Sequence, residues 1–150
     1  MKSRFTLVPS EFFTPESAAD ILSKVVPLTD GEPLSFLELP SRDAVCVYAG
    51  NGRPIIYDMV VSLFKIREYN KIIACHRDGE LSLVVAQGEQ LQFCNVFQAA
   101  DFVTAQYYIF LTLKTLQLNP QLSTIYFVDN LSHEQSVSLY NYFKKVELMR

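Results

Sequence analysis

One stretch constrains what this chain can fold into. Residues 72–128 read as Ile72-Ile-Ala-Cys-His-Arg77, Asp78-Gly79, Leu81-Ser-Leu-Val-Val-Ala-Gln87, Gly88-Glu89, and Leu91-Gln-Phe-Cys-Asn-Val-Phe97. A long apolar segment to Leu118 follows, then Thr124-Ile-Tyr-Phe-Val128. Asp-Gly between two β-rich runs supplies the positive φ angles of a two-residue hairpin turn. Gly88-Glu89 fits the mirrored turn that opens on glycine. Leu81, Leu83 and Val85 alternate with Ser82, Val84 and Ala86, and Leu91, Phe93 and Asn95 with Gln92, Cys94 and Val96; this is strand periodicity. The three runs predict an antiparallel meander.

Residues 101–118 are long enough for roughly five helical turns. Asp101 suits the N-cap, and Asn119-Pro120 ends the segment, because the residue before a proline avoids the helical region. So apolar a helix is expected to be covered on more than one side, by the sheet and by a second subdomain or a partner. Thr124–Val128 reads as a central parallel strand covered on both faces. Ser132 and Gln135 have capping-box spacing. They open a second helix with Leu139, Tyr140, Phe143 and Val146 as its apolar stripe and Glu134, Lys144 and Lys145 facing water. A meander feeding such an α/β unit is the core of the ribonuclease H-like fold, present twice in actin-like ATPases.

Upstream, Phe5–Val8 is a strand stopped by Pro9. Thr14-Pro15-Glu16 starts a helix carrying Ala18, Ile21, Leu22 and Val25, ended by Pro27. Thr29–Pro33 is a loop. Ser35–Leu39 and Ala44–Ala49 are strands joined by a Pro40–Asp43 hairpin. Residues 50–54 are a turn, and Ile55–Ile66 is a helix with Val60, Val61, Leu63 and Phe64 on its apolar side. The polar run Arg67–Lys71 marks the boundary between a first lobe, residues 1–68, and a second, residues 69–150. The first lobe alone is a thin sheet with an unguarded edge, which proteins normally cover. It reads as incomplete, with strands expected upstream of Met1.

The 150 residues are 49% hydrophobic, enough for one compact domain or two small lobes. There is no run of about twenty apolar residues for a membrane span, and Met1–Arg4 lacks the apolar continuation of a secretion signal. A net charge of −3, with the 13 basic residues scattered, argues against nucleic acid as partner. Cys46, Cys75 and Cys94 lie in strand-like runs; an odd count without close spacing suggests reduced, buried thiols in a cytoplasmic protein.

Phe5-Thr-Leu-Val-Pro9 with Glu11-Phe12-Phe13, Ala44-Val-Cys-Val-Tyr48, and Leu91–Phe97 followed by Asp101 and Tyr107-Tyr108 resemble a bacterial domain-of-unknown-function family with an actin-like ATPase fold. The resemblance spans nearly the whole chain through hydrophobic, structural motifs. It implies a longer protein whose extra N-terminal strands complete the first lobe. It also implies kinship with actin-like assembly and pilus-type scaffold proteins.

An actin-like ATPase carries a phosphate loop in the first hairpin of each lobe, with a metal-binding Asp, glycines and a hydroxyl residue. Here that hairpin is His76-Arg77-Asp78-Gly79-Glu80. It has one glycine, no Ser or Thr, and a Glu opposing phosphate, so it reads as a tight turn. After the last strand, Val128–Ser132 offers Asp129-Asn130 where a glycine pair would approach adenosine; this is ordinary turn chemistry, although the helix start at Ser132 could hold an anion. His76 and His133 have no metal-spaced neighbours; they read as an exposed strand end and a first-turn helix residue. Cys75 and Cys94 could face each other across strands as small core residues. Asp101 and Glu89 look like a cap and a turn residue. Tyr107, Tyr108, Tyr140 and Tyr142 read as core filling or as an interface patch.

No catalytic, nucleotide-binding or metal residue is therefore assigned, and no cofactor. The expected function is a non-catalytic actin-like scaffold or protein-interaction domain, with a protein partner or self-association. The alternative is a nucleotide-binding ATPase using the interlobe cleft. A ribonuclease H-type hydrolase would need clustered acids, and Asp78 with Asp129 are too few.

Overall fold

The computed structural model describes residues 4–26, 28, 33–39, 44–50 and 52–149. The chain forms two compact units, residues 1–61 and 62–150.

The first unit is built on a three-stranded antiparallel sheet of β1 (Phe5–Pro9), β2 (Leu34–Leu39) and β3 (Ala44–Ala49), with β3 in the centre. Leu39 pairs with Ala44 as a hairpin requires; Pro27, residues 29–32 and the connecting Pro40–Asp43 lie outside the described residues. The helix expected from Thr14 begins as a 3₁₀ turn, Pro15–Ser17. There the Thr14 N–H donates to the Ser17 hydroxyl at 3.2 Å, and only then does α1 (Ala18–Ser23) follow. Ala18 and Leu22 of α1 bury against Val8, Val45 and Val47. Val25, expected on the same stripe, lies beyond the helix and is exposed. α2 (Ile55–Leu63) crosses the division between the units and ends three residues earlier than expected. It buries Ile56, Met59, Val60 and Leu63, the i, i+3, i+4, i+7 pattern of one helix face.

The second unit is a five-stranded mixed sheet in the order β6-β5-β4-β7-β8. β4 (Asn70–Arg77), β5 (Glu80–Gln87) and β6 (Gln90–Gln98) form the expected antiparallel meander. Asp78 and Gly79 have φ of 51° and 74°, the paired positive values of a two-residue hairpin turn. At the second turn Gly88 has φ 57° and donates its N–H to the Tyr69 carbonyl at 2.8 Å. A Cβ on Gly88 would sit 3.2 Å from the Tyr69 ring. β5 departs from simple alternation, since every residue from Glu80 to Ala86 is buried. β6 departs too. A bulge opposite Val85/Ala86 pairs Phe93 with Val85 but Leu91 with Ala86, so Leu91 and Phe93 fall on opposite faces.

α3 (Phe102–Thr115) lies on one face of this sheet. Asp101 is its N-cap, accepting from the Thr104 N–H at 2.7 Å. Ala105, Ile109 and Leu113 of α3 join Ile72, Ala74, Leu81, Leu83, Val85, Ile125 and Phe127 in one core. The helix stops at Thr115, short of Leu118, because Gln117 takes a left-handed φ of 60° and the Leu118 N–H turns back to the Leu113 carbonyl at 2.8 Å. β7 (Thr124–Val128) then runs parallel to β4, between it and β8.

The last expected helix is half helix and half strand. The Ser132–Gln135 capping box is present, and α4 spans His133–Tyr140. The chain then turns at Asn141–Lys144, and Lys145–Met149 forms β8, parallel to β7. Phe143 and Val146 do reach the core, but from the turn and the strand, and Tyr140 is exposed. Lys145-Val-Glu-Leu-Met149 carries the period-2 pattern of a strand; the Leu139–Phe143–Val146 spacing masks it by also fitting a helix.

Two stability predictions follow from this packing. Ile109→Ala empties a site with no solvent exposure and should cost roughly 2–5 kcal/mol in urea unfolding. Gln117→Gly relieves a left-handed non-glycine residue and should stabilise by up to about 1 kcal/mol in the same assay.

Candidate functional site

The end of the second unit's sheet where the β4–β5 hairpin and the β7–α4 turn meet is where the sequence directs the search for a site. The fold does bring these two segments together. Arg77, the last residue of β4, pairs with Asp129, the first residue beyond β7, 52 positions away. The pair is two-pronged. The guanidinium Nε donates to Oδ2, and Nη2 donates to Oδ1 at 2.6 Å. Asp129 is held for this at φ 74°, a left-handed value that Asp tolerates better than most residues.

Hydrogen bonding by the Arg77 guanidinium holds the Asp129 carboxyl below its ordinary range, and the same bond raises Arg77 further above neutrality. Both side chains are about half exposed, so the pair is a surface ion pair worth up to about 1 kcal/mol. Asp101 is likewise lowered, through the bond from the Thr104 N–H.

The residues around the pair are committed to structure. The Ala99 N–H donates to the Gly79 carbonyl at 2.8 Å. The His76 Nε2 lies 2.8 Å from the Ala99 carbonyl, and its ring meets Phe102 edge-on, so His76 is half-buried rather than an exposed strand end. Glu80 is buried and accepts from Gln98 Nε2 at 3.3 Å. His133 stands in the first turn of α4, exposed, as read from the sequence. Glu89 is a turn residue.

Cys75 and Cys94 do not face each other. They lie on β4 and β6 with β5 between, opposite Ser82 and Val84 respectively. Cys46 and Cys75 are buried free thiols, pushed up to about 12 and about 11 by that burial; Cys94 is half-buried. Among the described residues no group of three or more His, Cys, Asp or Glu is placed to hold a metal ion. No helix among them is long and apolar enough to cross a membrane.

The aromatic residues divide between core and surface. Phe97 stacks on Tyr108 at 4.5 Å and Phe110 packs on Tyr142 at 4.8 Å. Tyr107, Tyr140 and Tyr142 are nevertheless exposed. On α3 the side away from the sheet, expected to be covered, carries Val103, Tyr107 and Leu111 at four-residue spacing, 78%, 60% and 43% exposed.

A model for proteins of unknown function, DUF3822, matches residues 54–146. The chain belongs to the DUF3822 family. No curated protein matches it. A solved structure from Bacteroides thetaiotaomicron, described as a protein with actin-like ATPase fold and unknown function, superimposes with a TM-score of 0.78 at 18% identity. The match covers 99% of this DUF3822 chain and 65% of the Bacteroides chain. At that identity the likeness shows the fold, which this chain therefore shares, and nothing of its activity. The Arg77–Asp129 pair escaped sequence reasoning because nothing local announces a partner 52 residues away.

Asp129 should titrate below the ordinary carboxylate range in wild type and return toward it in Arg77→Ala, measured by carboxyl carbon NMR. The sign is that of a depressed acid. The pair's contribution to stability is present above the ordinary range and fades as pH falls through the folded value. Wild type should therefore lose more stability than Arg77→Ala between pH 5 and pH 3, roughly the interval over which carboxylates protonate.

Proposed function

We propose that this chain is a non-catalytic actin-like scaffold, a protein-interaction domain in which the ribonuclease H-like unit keeps its architecture without a nucleotide grip. The observation that carries the reading is the Arg77–Asp129 pair. In the ATPases the resemblance points to, the first hairpin bares glycine amides to phosphate and an acid holds the metal. Here the hairpin is closed by a two-residue turn with one glycine and no Ser or Thr, and at the end of β7, where a glycine pair would approach adenosine, Asp129 is paired with Arg77. Phosphate binding needs backbone N–H groups or free cations at the ligand. At this end of the sheet Arg77 is paired with a carboxylate.

The exposed Val103–Tyr107–Leu111 stripe supports the interaction half of the proposal, because tyrosine-bearing apolar patches are favoured at protein contacts. The partner is a protein or a second copy of the chain. The scattered basic residues speak against nucleic acid, and the buried thiols of Cys46 and Cys75 suit a reducing bacterial cytoplasm. In this reading residues 1–68 and 69–150 contribute to two actin-like lobes.

Thermal unfolding with and without magnesium and ATP tests the proposal. A ligand at a hundred times its dissociation constant adds about 2.7 kcal/mol, roughly 5–10 °C in Tm for a chain of this size. The expected shift at millimolar MgATP is nil. A rise of that size, abolished by Asp78→Asn or Asp129→Asn, would restore the ATPase reading.

A further inference from the structure

Behind the C-terminal end of α2, on the side of the second unit's sheet to which Tyr126 belongs, lies an open hollow of about 610 Å³. Its lining includes Lys65, Ile66, Arg67 and Glu68 from the segment between α2 and β4, Tyr126 of β7 and Met149 of β8. Lys65 and Arg67 are exposed, and neither side chain has a hydrogen-bond or ion-pair partner among the described residues. The one carboxylate, Glu68, is engaged: it accepts the Tyr126 hydroxyl at 2.8 Å. Ile66 is buried, and Tyr126 and Met149 are half-buried, so the hollow also has an apolar wall.

We infer that this hollow binds a small organic anion, its acid group held by Lys65 and Arg67 and its apolar body against Ile66, Tyr126 and Met149. Small-molecule sites are concave, measure roughly 300–1,000 Å³, and combine apolar walls with a few convergent polar groups. Two cations against the one carboxylate of the lining leave the hollow a net positive charge, which favours an anion. A guanidinium takes a carboxylate or a phosphate monoester in the same two-pronged geometry, so the shared chemistry is an anionic head on an apolar body. Its cations come from the segment entering β4 and not from the Arg77–Asp129 pair, and the site owes nothing to the scaffold reading.

The test is a titration of the ¹⁵N-labelled full chain, followed by amide shifts, with four probes of one shape: benzoate, phenyl phosphate, neutral benzamide and cationic benzamidine. Benzoate or phenyl phosphate should move the amides of residues 62–68, 126 and 149 with a dissociation constant on the order of 1 mM. Which of the two binds more tightly tells carboxylate from phosphate ligands. Benzamide and benzamidine should bind at least about tenfold more weakly. Lys65→Glu with Arg67→Glu, both on exposed side chains, should abolish binding and leave the remaining spectrum in place. Met149→Trp, which fills the hollow without changing charge, should weaken benzoate by at least about tenfold. Shifts scattered over all lysines, equal binding of benzamidine, or benzoate affinity unchanged in Met149→Trp would each overturn the assignment.

Discussion

Burial of the β4–β5 hairpin on both faces is the constraint from which most of the second unit follows. Ile72, Ala74, Leu81, Leu83 and Val85 form one face, and Ile73, Cys75, Val84 and Ala86 the other; all are at most 2% exposed. Removing a Val, Leu or Ile side chain from water is worth about 1.5–3 kcal/mol, so a hairpin with no polar face cannot stand at an edge. β6 and β7 flank it, and α3 closes over the first face with Ala105, Ile109 and Leu113. Ala74 and Ala105 are small residues within that core, where bulkier side chains would hold helix and sheet further apart.

With the hairpin so placed, its turn and the end of β7 must emerge at the same end of the sheet, because β7 runs parallel to β4 from Ile72–Ile125 onward. In an actin-like fold that end is where a ligand would be sought. Here it carries a short turn and an ion pair, and Ala99 is clamped between the Gly79 carbonyl and the His76 ring. Arg77 and Asp129 are bound to each other. Lys65 and Arg67 sit elsewhere, at the segment leading into β4.

Local physics was legible wherever one or two residues decide the outcome. Asp78-Gly79 and Gly88-Glu89 are turns, Asp101 and Ser132 are caps, and the meander lies between. The readings that failed needed information from further away. The bulge that sends Leu91 and Phe93 to opposite faces answers to β5, not to the β6 sequence. Phe143 and Val146 fit a helical stripe as well as a turn and a strand, so the sequence pattern extends the last helix over what is β8. Only the open edge of β7 decides between them. Cys75 and Cys94, which could face each other by sequence, are kept apart by β5 between their strands.

By itself, then, the amino-acid order determined where the chain turns, where three of its strands run and how its long helix begins. Those choices depend on backbone freedom and capping within a few residues. Tertiary structure alone decided that Arg77 would meet Asp129, that the outer side of α3 would keep Val103, Tyr107 and Leu111 in water, and that the last five described residues would join a sheet. Those outcomes depend on which distant segment arrives alongside, and an ion pair or a strand pairing has no energy until its partner is there.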